Sequence, residues 1–80
     1  MAGADHRLNV LGLACPLPVL LAIRDIAALA PGEVLEIVGD DPGLLEDIPQ
    51  WCAKAGHRLL EMDADEGVIV CQVAKGSPVP

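Results

Sequence analysis

Eighty residues carry twelve acidic and five basic side chains, for a net charge of -7 with histidine neutral. A chain this short forms one domain that buries about 60% of its unfolded surface, which argues against deep clefts. The negative field repels phosphate backbones, and Trp51, the only aromatic residue, offers no stacking platform, so direct nucleic-acid binding is not expected.

With Phe and Tyr absent, the core must be aliphatic. His6 to Val10 has the partial alternation of a short first strand, ending near Gly12, where glycine permits a sharp turn. Pro16 to Ala30 is rich in Leu and Ala, and the spacing of Leu20, Ile23, Ala27 and Ala30 predicts a helix with those residues on its buried side. Pro31-Gly32 ends it. Glu33 to Gly39 reads as a second strand, and Asp40-Asp41-Pro42-Gly43 as a turn whose acidic pair caps the next helix, with Pro42 at its first position.

Leu44, Leu45, Ile48, Trp51, Cys52 and Ala55 follow at helical steps up to Gly56, with Pro49 predicting a kink or a restart capped by Asp47. His57 to Met62 and Gly67 to Ala74 read as two strands of a hairpin with its turn at Asp63 to Glu66. Residues 76–80 are expected to fray. The order β-α-β-α-β-β predicts an α/β (α+β) two-layer sandwich, a four-stranded mixed sheet with two helices on one face. A single domain over 1–80 is expected, its core spanning about 6–75. No run of about 18 apolar residues is present to span a membrane, and no cleaved leader pattern opens the chain, so a cytoplasmic location without membrane association is expected.

Cysteines at 15, 52 and 71 are odd in number and widely spaced, matching neither a disulfide framework nor a CxxC pair. Cys52 falls on the apolar stripe of the second helix and Cys71 in a Val/Ile-rich strand, positions suited to inert core thiols. Cys15 differs, since Pro16 and Pro18 follow it in the stretch GLACPLP. Proline is tolerated in a first helical turn, so Pro16 at the first and Pro18 at the third position would make Cys15 the N-cap. There the macrodipole would lower the thiol pKa by less than about one unit, giving mild activation. The plainer alternative is a small residue filling a helix-starting turn. His6 and His57 accompany no ligand cluster, so neither a metal nor a cofactor is expected. Arg24, Lys54, Arg58 and Lys75 read as solvated charges.

The run Leu8 to Val19, with Gly-Leu-x-Cys-Pro-x-Pro at its centre, resembles the TusA (SirA-like) family of small sulfur-carrier proteins. Pro31-Gly32-Glu33, Asp40-Asp41-Pro42, Asp47 to Cys52 and Gly56-His57 extend the resemblance over roughly residues 6–76. The resemblance implies a cysteine, here Cys15, that accepts sulfane sulfur as a persulfide, with Gly12, Pro16 and Pro18 shaping its loop. It also implies a donor protein, a cysteine desulfurase or rhodanese-like, and an acceptor protein, in one branch towards 2-thiouridine in tRNA. Asn9 stands where the family often has aspartate, and Ala14 and Leu17 stand where tRNA-thiolation members tend to carry charged residues, which leaves the pathway open. The competing class is a regulatory interaction module that keeps the fold without the chemistry.

Overall fold

The computed structural model describes residues 4–77, and over them the predicted order of elements is present. Strand β1 (His6–Val10) is followed by helix α1 (Leu17–Ile26), β2 (Val34–Gly39), α2 (Leu44–Ala55), β3 (Arg58–Asp65) and β4 (Val68–Ala74). The sheet runs β1-β2-β4-β3, with β1 parallel to β2 and the other two pairs antiparallel. Two helices and a four-stranded mixed sheet therefore form the expected α+β fold.

Period-two alternation builds the core. Leu35 and Ile37 of β2 lie opposite Val73 and Cys71 of β4, and all four are fully buried. Leu8 and Val10 extend the layer along β1. Pro18, Ala22 and Ile26 of α1 and Leu44, Ile48 and Cys52 of α2 close over it. At the end of β2 the helix layer comes so near that a Cβ on Gly39 would stand 2.6 Å from Leu44 Cδ1 and 2.9 Å from Val10 Cγ2.

Five local expectations are corrected. The buried side of α1 is Pro18, Ala22 and Ile26, while Leu20 and Ile23, predicted to face inwards, are 56% and 44% exposed. An Ala- and Leu-rich segment has apolar residues on every side, so periodicity alone does not select the face. The helix also stops at Ile26 rather than Ala30, tightening into i→i−3 bonds from Ala28 to Asp25 and from Leu29 to Ile26. Lys75, expected to be solvated, donates its Nζ hydrogens to the carbonyls of Leu29 at 2.5 Å and Ala27 at 3.3 Å, just beyond that helix end.

Pro49 neither ends nor restarts α2, which runs unbroken from Leu44 to Ala55. Ile48 and Cys52 on either side of it are buried in one core, and that packing keeps the helix continuous despite the missing amide hydrogen. The hairpin turn is Glu66-Gly67, with φ of 50° and 80°, so β3 continues through the predicted turn to Asp65. A register shift between Leu59 and Glu61 lets both Leu59 and Met62 pack on the core, opposite Val73 and Cys71. Gly76, the first residue of the expected frayed tail, donates its N–H to His57 Nδ1 at 3.0 Å, and residues 78–80 of that tail lie outside the described region.

Candidate functional site

Parallel pairing of β1 and β2 sets Val10 beside Gly39, so the loops that leave these two strands emerge together at one end of the sheet. Gly12, at φ +81°, turns the first loop back. The second loop holds it there through two carboxylates. Asp40 Oδ1 accepts the Gly12 N–H at 3.1 Å, and Asp41 Oδ2 accepts the Cys15 N–H at 2.7 Å. The other oxygen of Asp41 accepts the Gly43 N–H at 2.8 Å. These amide donors hold the Asp41 carboxyl below its ordinary pKa, the Cys15 N–H contributing most.

The expected capping of α2 by the acidic pair is thus reduced to one bond, from the N–H of Gly43 to Asp41, and Asp40 takes no part in it. Gly43 is the N-cap residue and makes no side-chain cap bond, and Pro42 precedes the helix. Asp40 and Asp41 also brace the cysteine loop, a role invisible without the contact between loops that lie 26 to 28 positions apart.

Cys15 is likewise not the N-cap of α1. Pro16 occupies that place behind a cis Cys15-Pro16 peptide, Leu17 is the first helical residue, and Pro18 is buried beneath the helix. A turn closed by the Leu17 N–H on the Ala14 carbonyl at 3.1 Å takes up residues 14–17. Through the Asp41 bond the cysteine leans on the other helix, and its Sγ lies only 3.3 Å from the position a Cβ on Gly43 would take. Glycine at 43 thus makes room for the sulfur at the entrance to α2; its backbone is in the ordinary right-handed region.

The expected mild activation is reversed. Partial burial, then the nearby carboxylates of Asp47 and Asp41, push the Cys15 thiol up to about 11. Desolvation and two acidic neighbours all favour the uncharged form, outweighing a dipole effect worth about 0.3–1 kcal/mol. At pH 7 about one molecule in ten thousand carries a thiolate at that pKa. Cys52 and Cys71 are buried and also pushed up to about 11, chiefly by desolvation. Cys15 is the only half-buried thiol of the three.

A groove of about 330 Å³ runs beside the cysteine between α1 and α2, lined by Pro16, Val19, Asp47, Gln50, Trp51 and Lys54. A second hollow, lined by Gly12, Leu13, Ala14 and the Asp40 to Pro42 loop, lies on the far side of the loop. Of the expected site residues, Pro16 lines the groove and Gly12 the second hollow, Cys15 lies in the chain between them, and Pro18 belongs to the core. Asp41, Gly43 and Asp47 are the neighbours that sequence reasoning missed. His6 stands apart, its Nε2 3.2 Å from Asp25 Oδ2, and His57 packs edge-on against Trp51. Among the described residues no three His, Cys, Asp or Glu side chains group as metal ligands.

The sequence model of the family described as Sulfurtransferase TusA matches residues 6–75, the whole of the sheet and both helices. The chain belongs to the TusA family. A relative in Aquifex aeolicus (strain VF5), described as a putative sulfur carrier protein, is 33% identical over 73 residues, which cover 91% of this chain but 37% of that longer protein. The crystal structure of a SirA-like protein from Desulfitobacterium hafniense superposes with a TM-score of 0.78 at 26% identity, covering 90% of this chain and 99% of that one. The TusA fold is thus shared over nearly the full length, and the braced cysteine loop lies inside the matched region.

Proposed function

We propose that this protein is a sulfur carrier that accepts sulfane sulfur on Cys15 and relays it to an acceptor protein. The observation that carries this reading is the presentation of Cys15 alone among three thiols, on a loop braced by Asp40 and Asp41 at the mouth of a groove. Donor persulfide R–S–SH and Cys15–SH exchange to give Cys15–S–SH and R–SH. The Cys15 sulfur bonds to the terminal sulfur, the donor S–S bond breaks, and the thiol proton ends on the departing donor sulfur. A cysteine desulfurase or a rhodanese-like protein is the donor class that supplies such a persulfide, and tRNA 2-thiouridine formation is one outlet for the sulfur. The net charge of -7 favours delivery through a protein over direct contact with tRNA. No helix among the described residues is long and apolar enough to cross a membrane.

Intact mass after incubation with a cysteine desulfurase and cysteine tests the reading. The wild type gains one sulfur atom, as do Cys52→Ser and Cys71→Ser, and Cys15→Ser does not. A wild type unmodified by desulfurase and rhodanese donors alike favours an interaction module instead, for which the exposed Leu17, Leu20 and Ile23 of α1 supply the apolar surface.

A further inference from the structure

Sulfur exchange at Cys15 needs a negative sulfur, yet among the described residues the charged groups that face the thiol are both negative. Asp41 approaches from the loop before α2, its Oδ2 on the Cys15 N–H at 2.7 Å, and Asp47 lies one helical turn beyond Gly43, whose Cβ position is 3.3 Å from the Cys15 Sγ. Helix α1 contributes nothing to offset them, because its charged residues, Arg24 and Asp25, pair with each other near its far end. Asp41 is already engaged by two amide hydrogens. Asp47 takes part in no ion pair among the described residues and lines the groove that opens beside the sulfur. The groove's cation, Lys54, follows seven residues later in the same helix, about 10 Å along its axis.

We infer that Asp47 is a positioning residue that reserves the Cys15 sulfur for partners bringing a cationic group beside their own reactive sulfur. A lysine or arginine entering the groove meets the Asp47 carboxylate, cancels the charge that opposes a thiolate, and lies next to the sulfur that departs from the partner. Without such a cation the thiol stays protonated, a form that oxidants attack slowly. The inference deepens the carrier reading by naming the chemistry of the partner, but its test needs no sulfur donor and so can fail separately.

Mixed-disulfide formation on Cys15 is followed by intact mass with two small disulfides, cystamine, which carries an ammonium on each arm, and neutral bis(2-hydroxyethyl) disulfide. Each reaction joins Cys15–SH to one arm and releases the other as a thiol. The ratio of the two rates in wild type is expected to fall about threefold to fivefold in Asp47→Asn, and to be kept in Asp47→Glu and in Glu46→Gln, which removes a charge from an exposed position in the same turn. In parallel, the pH profile of alkylation by neutral iodoacetamide shifts to lower pH in Asp47→Asn. A one-unit shift gives about a threefold faster reaction at pH 8, since added thiolate is partly offset by lower nucleophilicity. An unchanged ratio in Asp47→Asn, or an equal fall in Glu46→Gln or Asp47→Glu, overturns the inference.

Discussion

Asp41 shows how much of this site rests on one side chain. Its two oxygens take N–H groups from Cys15 and Gly43, so a single carboxylate ties the cysteine loop to the entrance of α2. Asn at this position keeps one acceptor and turns an amide N–H₂ towards a backbone donor. Asp41→Asn is therefore expected to lower the urea denaturation midpoint and to speed hydrogen exchange at the Cys15 amide. A variant with unchanged stability and exchange would show that the loop is held by other contacts. At this scale the sequence set apart the one cysteine that the fold leaves half-buried, because the prolines around it and the apolar settings of Cys52 and Cys71 are local signals. It misjudged the thiol's chemistry. The charges that govern Cys15 come from positions 41 and 47, and no local pattern reports that they face the sulfur.

The helices show packing overruling local preference. An interior proline costs a helix about 3 kcal/mol relative to alanine, yet α2 passes through Pro49 without interruption because Leu44, Ile48 and Cys52 share one buried seam. Pro49→Ala restores the N–H for the Leu45 carbonyl while giving the unfolded chain more freedom. The net expectation is a gain of about 1–2 kcal/mol, visible as a raised denaturation midpoint. A loss would mean that the proline ring's packing outweighs the hydrogen bond. The existence and order of all six elements were legible from hydrophobic periodicity and turn residues. The buried face of α1 was not, since Leu20 and Ile23 are as apolar as the residues that face the sheet.

For the whole molecule, the three thiols make stability depend on alkaline pH. Each is pushed up to about 11 in the fold, whereas unfolded thiols ionise near 8.5. Between those values the unfolded chain has released protons that the folded chain still holds, so stability is complete below about pH 8.5 and is lost as pH rises towards 11. Urea midpoints at pH 8 and 10.5 should differ more in wild type than in a Cys52→Ala/Cys71→Ala variant; parallel behaviour would remove the buried thiols as the cause. In native buffer at pH 8 alkylation should reach Cys15 alone, and unfolding should release the other two.

By itself the sequence determined the six elements, the aliphatic core and the one cysteine set apart from it, because each is written in neighbouring residues and short periods. Only the tertiary structure decided what surrounds that cysteine. Parallel pairing of β1 with β2 brings residues 12–15 against residues 40–43, and the bond from Cys15 to Asp41 seats the sulfur at the head of α2 beside Asp47. Charge acts through space, and the distances that set its strength exist only once the strands have paired.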